Sequence, residues 1–448
     1  MPSDVAPIPP LPAHQLLVFL LQVGLLVLLA VVCGRLATRL RMPAVTGELC
    51  VGILLGPTVL GNTAPALAEW LLPRSASQFH LLDALGQIGV VLLVGVTGME
   101  MDTRLVRRRG TAALSVGLGG LLLPLALGFA AGWAAPGSLI PESSDRLVFA
   151  LFIAVALCVS ALPVIAKTLT DMNLIHRNVG QLTLAAGMVD DIIGWILLSV
   201  VSAMAVGEAD TTSVAAPLAA TALVLACTFL IVRPLVRRGM RAAERSGESA
   251  TTVAGATALI LLSAAATHAL GLEAMFGAFL AGMLIASGSH SVRARLAPLR
   301  TVVLSVLAPL FFATAGLRVE LGALTHPQVL AAAAALLVIA VVGKVAGAYF
   351  GARVAGIGPW ESLALGGGLN ARGVIQLVIA TVGLRIGVLT PTAYTLIVLV
   401  AIATSLMAPP LLRFAMRRVE QTMEEELRLR DCSFVPEKPS GRTPDAQV

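Results

Sequence analysis

Two adjacent carboxylates, Asp190 and Asp191, stand in the middle of the apolar run GQLTLAAGMVDDIIGWILLSV. A helix beginning near Gly180 carries them about 15 Å along its axis, at ~1.5 Å per residue. If that helix crosses a bilayer, the pair lies near the midplane. One charge there costs about 2.5–3.5 kcal/mol on the insertion scale, and two neighbouring carboxylates also repel each other. Amides would pack as well at lower cost, so a use for the charge is expected. Lys344 is a second charge of this kind. It stands nine residues before Arg353 in PQVLAAAAALLVIAVVGKVAGAYFGAR, about 13 Å below the end of that run. Snorkelling recovers part of such depth. The functional reading is that its ammonium pairs with one of the aspartates and holds the net charge down.

These residue types suit one chemistry. A carboxylate held away from water accepts a proton, and it is also a hard oxygen ligand for a bare alkali cation. Proton and cation then compete for one place. If only loaded states cross the membrane, competition becomes exchange. Asp190, Asp191 and Lys344 would titrate as one coupled group.

The elements that must position these groups are two interrupted apolar runs. ALCVSALPVIAKTL has Ser160 and Pro163 in its middle, and LALGGGLNARGVIQL has Gly366, Gly367, Gly368, Asn370, Arg372 and Gly373. An interrupted helix turns a positive N-terminus and a negative C-terminus into the membrane interior. Unwound carbonyls, Ser160 and the Asn370 side chain are candidates to coordinate an ion or line its path, and Arg372 to neutralise helix C-terminal dipoles. Asn370 and Arg372 serve equally well as local caps of the break without ion contact.

Composition supplies the solvent for these helices. Of 448 residues, 57% are hydrophobic and 12% charged, with a mean hydropathy of +0.90. Soluble domains carry roughly 25% charged residues. The apolar runs are about 20 residues long, helix length for a ~30 Å hydrocarbon layer, and they lack the period-two alternation of a membrane barrel. Thirteen spans are predicted, near 13–33, 43–61, 80–100, 110–134, 147–170, 180–206, 212–236, 250–270, 272–287, 298–317, 327–353, 359–385 and 390–415. Taken alternately, one set of loops holds 21 Lys and Arg and the other 4, which places the N-terminus outside and the C-terminus in the cytoplasm. The net charge of +6 sits in those loops and is no nucleic-acid signal. The start of the chain has no basic residue before the first run, and five prolines in residues 2–12, so that run reads as a retained helix rather than a signal peptide.

If the first six spans and the last six are repeats joined by the seventh, the odd offset inverts the second copy. The interrupted fifth and twelfth spans then occupy matching positions, the strongest sequence pointer to a transporter site. The expected fold is an all-α polytopic membrane protein of two inverted six-helix repeats with crossed discontinuous helices.

Other polar residues say less. Cys33, Cys50, Cys158, Cys227 and Cys432 are scattered, with no metal or disulfide spacing, and read as packing residues. Glu48 and Glu273 are expected at span ends as interfacial or packing contacts, and His268 as an interfacial histidine. No enzyme chemistry is expected. An intramembrane aspartyl protease needs aspartates converging from different helices, whereas Asp190 and Asp191 are sequential, about 100° apart on one helix. A channel or uniporter on the same fold is the rival within transport, and it would not need a titratable midplane pair.

The motifs resemble those of the monovalent cation:proton antiporters, in the branch of bacterial potassium-efflux and sodium/proton antiporters and plant cation/proton exchangers. The stretch ALCVSALPVIAKTLTDMNLIHRNVGQLTLAAGMVDDIIGWILL is similar to that family's core. PAVTGELCVGILLGPTVLG, LGQIGVVLLVGVTGMEMD, GLEAMFGAFLAGMLIA, LAPLFFATAGL and GGGLNARGVIQLVIATVGL resemble its other helices, over about residues 15–415. The resemblance implies a homodimer and a division into an N-terminal segment (1–12), a dimerisation domain (13–106 and 250–326), a core transport domain (107–206 and 327–418), a linker helix (207–249) and a disordered cytoplasmic tail (419–448). It makes Asp191 the ion-binding aspartate, and the preceding Asp190 together with Lys344 matches the electrogenic sodium/proton members. No cofactor is implied beyond transported Na+ or K+ and H+. The tail is short and without a Gly-rich fingerprint, so no nucleotide-binding domain is expected in this chain.

Overall fold

The computed structural model describes residues 11–40, 42–72, 76–100, 103–206, 249–270, 272–286 and 294–423, with Glu425 and scattered positions between 219 and 239. The described chain is helical, without strands. The helices are α1 (Ala13–Arg39), α2 (Ala44–Leu55), α3 (Ala76–Glu100), α4 (Thr103–Trp133), α5 (Arg146–Cys158), α6 (Leu162–Asp171) and α7 (Asn178–Val206). After the sparsely described stretch come α8 (Ser249–Ala269), α9 (Ala274–Ala286), α10 (Ala297–Gly316), α11 (Pro327–Val354), α12 (Pro359–Leu369), α13 (Val374–Arg385) and α14 (Pro391–Met416). Two short helices, Leu60–Thr63 and Pro65–Leu71, follow α2.

Among the described residues, ten helical segments are long and apolar enough to cross a bilayer, eleven if the bent α12–α13 pair is one span. The apolar α9 is shorter, at 13 residues. Thirteen spans were expected; the one at 212–236 lies mostly outside the described residues, and each of the others coincides with a described helical segment.

Helix starts follow local chemistry. Prolines occupy the first turn of α6, α11, α12 and α14, where no intrahelical N–H is lost. Asp145 caps α5 by accepting from Leu147 N–H, and the Thr390 hydroxyl caps α14 by accepting from Ala393 N–H. Large apolar side chains face outward without partners, among them Leu20, Leu28, Val342 and Phe350, all more than half exposed. Lipid accounts for such a surface; water would not.

The helices pack in two groups. The first is α1, α2, α3, α8, α9 and α10; the second is α4, α5, α6, α7, α11, α12, α13 and α14. Within the second, α4 and α11 run in close contact because both are small-residue-rich: a Cβ on Gly347 would lie 2.2 Å from the Gly119 carbonyl oxygen. The groups meet more sparsely, as where α7 touches α9.

The start of the tail differs from expectation. Disorder was expected from residue 419, yet Glu425 is buried and bound: Arg177 Nε lies 3.0 Å from its carboxylate, and Asn178 N–H donates to it at 2.6 Å. Arg177 also donates to the Val419 and Glu420 carbonyls. An acidic side chain at the N-terminus of α7 satisfies donors that a helix start leaves free. The sequence after Glu425 lies outside the described residues.

Candidate ion-binding site

Both interrupted runs are broken, and the breaks touch. The first ends α5 at Cys158, passes through extended Val159 and Ala161, and starts α6 at Leu162. The second ends α12 at Leu369 and starts α13 at Val374, with a bend of 43°. Ala161 N–H donates to the Ala371 carbonyl at 3.0 Å, which joins the two unwound segments directly. Two details differ from the sequence reading. Pro163 lies in the first turn of α6 rather than in the gap, where its missing N–H costs nothing. Gly366, Gly367 and Gly368 are helical, inside α12. Their role is proximity: a Cβ on Gly366 would fall 2.7 Å from the Val345 carbonyl oxygen of α11, and one on Gly368 would fall 2.9 Å from the Thr183 methyl of α7.

Asp190 and Asp191 approach this crossing from α7, both fully buried. Lys344, also fully buried, comes from α11 and forms an ion pair with Asp190 Oδ2. Its ammonium donates as well to the Cys158 carbonyl at 2.6 Å, the last carbonyl of α5. Ser160 Oγ stands 2.8 Å from Asp190 Oδ2 and 2.8 Å from the Leu369 carbonyl oxygen at the end of α12. A hydroxyl has one proton, so it serves one acceptor at a time. Arg372 Nη2 donates to the Ala340 carbonyl at 3.0 Å and Nη1 makes a longer contact of 3.4 Å with Ala156, in the last turn of α5. Ser405 of α14 donates to the Arg372 carbonyl. Lys344 and Arg372 thus set positive charge against the negative end of a half-helix.

Asp191 is different. The Leu162 N–H at the start of α6 acts on it, but neither carboxylate oxygen closes a hydrogen bond within the protein. The Asn370 side chain is fully buried with both its oxygen and its nitrogen unpartnered. The structure therefore brings the expected residues to one crossing and divides them: Asp190 is paired through Oδ2 with Lys344 and Ser160, and neither oxygen of Asp191 closes a hydrogen bond. Sequence reasoning missed Cys158 and Leu369, which act through main-chain carbonyls that leave no side-chain signal, and Ser405, an ordinary serine in an apolar run.

Glu273 pairs with Arg385, Nη2 lying 3.0 Å from Oε1. His268 is exposed, and Glu48 is buried against Gly34. Among the described residues no three His, Cys, Asp or Glu side chains cluster as a resident metal site.

Comparison with known proteins gives the family. Residues 26–418 match the family described as sodium/hydrogen exchanger, transmembrane. The Na(+)/H(+) antiporter NhaS4 of Synechocystis is 31% identical over 402 residues, covering 89% of this chain and 97% of its own. The Na(+)/H(+)-K(+) antiporter GerN of Bacillus cereus is 29% identical, with 91% of this chain and 98% of its own covered. Cation/H(+) antiporter 17 of Arabidopsis thaliana is 29% identical over 89% of this chain, which spans about half (48%) of that longer protein. The solved sodium proton antiporter MjNhaP1 of Methanocaldococcus jannaschii shares the fold, with a TM-score of 0.59 at 16% identity over 90% of this chain and 99% of its own. These relatives are transporters, not enzymes. With its apolar spans, two broken helices and family match over nearly its whole length, the chain is a multi-pass membrane protein belonging to the transmembrane sodium/hydrogen exchanger family.

Proposed function

We propose that this protein is an electrogenic antiporter exchanging Na+ or K+ for protons by alternating access, with Asp191 as the place for which cation and proton compete. The observation that carries the reading is the asymmetry of the pair: Asp190 is held by Lys344 and Ser160, while Asp191, equally buried, closes no hydrogen bond with either oxygen and has only the Leu162 N–H acting on it. A dehydrated alkali cation supplies what those oxygens lack, and so does a proton. In this reading Asn370, which follows the end of α12 with its side chain unpartnered, lends its oxygen. Asp190 and Lys344 keep the deprotonated site near neutral and let its charge change when the cation arrives. The names of the relatives fit cation and proton as the exchanged pair. In this reading the second helix group carries the ion, the first forms a homodimer, and the chain sits in the inner membrane with its N-terminus outside. The test is proton flux in everted vesicles, with Na+, K+, Li+ and Rb+ added in turn. Cation-dependent release of a pH gradient supports the proposal. Cation flux that moves no protons would identify a channel or uniporter instead.

A further inference from the structure

We infer that the outer access path to Asp191 runs along one face of α7, through Trp195, Ser199 and Ser202, and that Trp195 against Phe279 closes it in this conformation. The inference rests on the antiport reading and names path and gate within it.

Helical spacing puts Asp191, Trp195, Ser199 and Ser202 within about 80° of arc at ~100° per residue. All four are nine-tenths or more buried, and the Trp195 indole N–H and both serine hydroxyls have no hydrogen-bond partner in the protein. One such group can be an accident of packing. A continuous row from Asp191 toward the end of the helix points to one missing partner, because each buried polar group needs one. Water supplies it where polar groups converge.

One neighbour on this face comes from the other helix group. Trp195 lies against Phe279 of α9, ring centroids 6.1 Å apart. Glu273, just before α9 begins, is buried and paired with Arg385, the last residue of α13. The helices α9 and α13 both touch α7. The row therefore follows a seam between the two groups, blocked one helical turn above Asp191 by the aromatic pair and bridged near its end by Glu273–Arg385. Under the proposed orientation this is the outer end, where α7 finishes and α9 starts. Relative movement of the groups would part both contacts and open the row to water and ions.

The experiment uses the full chain with Cys33, Cys50, Cys158, Cys227 and Cys432 replaced, under turnover with Na+ or K+ and a pH gradient. Ser199→Cys, Ser202→Cys and Ile196→Cys are each labelled with a membrane-impermeant cationic methanethiosulfonate, in right-side-out and in everted vesicles. Ile196 is the control, about 100° off the face. The thiols at 199 and 202 are expected to react from the outside at least about tenfold faster than the one at 196, and labelling is expected to stop exchange. Glu273→Gln is expected to speed labelling at 202 by about fivefold or more, as a coupled gate requires. Trp195→Ala is expected to leak protons without cation, and Trp195→Phe to keep the seal. Thiols at 199 and 202 that stay silent from outside, or react no faster than 196, in variants that still exchange would overturn the inference. An unlabelled protein with no exchange at all would count against the antiport reading instead.

Discussion

Lys344 is shared between Asp190 and the last carbonyl of α5, so one ammonium neutralises a carboxylate and ends a half-helix. Removing one partner of a fully buried ion pair leaves the other uncompensated, at a cost of about 3–5 kcal/mol. Lys344→Gln is therefore expected to lower thermal stability in detergent sharply. Asp190→Asn combined with Lys344→Gln should recover much of the loss. A double variant no more stable than Lys344→Gln alone would show that the pair is not coupled.

The same pair sets charge movement. Asp190→Asn keeps the Asp191 oxygens but removes one titratable carboxylate. Exchange is expected to continue at a reduced rate, with the membrane current per cation lowered. Solid-supported membrane recordings of purified protein in liposomes check this. Current per cation equal to wild type would remove Asp190 from the coupling.

Much of this arrangement was legible in the sequence, for physical reasons. A midplane charge is costly enough that Asp190, Asp191 and Lys344 stand out against apolar runs, and Ser160 and Asn370 lie in the only kind of segment that breaks a helix inside a membrane. The division of labour between the aspartates came from the family resemblance, not from residue spacing. Which aspartate Lys344 takes depends on the rotation of α7 against α11, and periodicity does not fix it. The glycines at 366–368 were read as part of the break, yet they serve helix packing, since glycine signals both close approach and unwinding. The hold on Glu425 was hidden because it depends on the position of Arg177, far away in sequence.

Arg372 bridges α5 and α11 through the Ala156 and Ala340 carbonyls. Arg372→Ala would strand the Ala156 carbonyl in the last turn of α5, at about 1–3 kcal/mol for a buried group left unpaired, while the Ala340 carbonyl lies inside α11 and loses only its second donor. A marked fall in thermal stability and folded yield is expected, with Arg372→Lys intermediate because it keeps the charge but loses the fork. Stability of Arg372→Ala equal to wild type would make the arginine dispensable for the crossing.

Glu425 gives a pH prediction outside the membrane. Burial pushes its pKa upward, but hydrogen bonds from the Thr422 and Asn178 N–H groups and from Arg177 outweigh that and hold it below the ordinary 4.5. A lowered carboxylate pKa means that the contact is fully present above the ordinary value and lost as pH falls through the lowered one. Hydrogen exchange at the Asn178 amide, taken relative to its intrinsic rate at each pH, is expected to stay slow from neutral pH down to about 4.5 and to quicken below it. Glu425→Gln should quicken it at neutral pH. Equal protection in Glu425→Gln and wild type would show that the tail does not hold α7.

The central claim is that Asp191 is the one place where cation and proton compete. Asp191→Asn keeps shape and burial and removes only the ionisable group. In everted vesicles, the account predicts that this variant folds and inserts with wild-type yield and thermal stability, and that added Na+ or K+ no longer dissipates a pH gradient. Cation-driven dissipation near the wild-type rate in Asp191→Asn would contradict it.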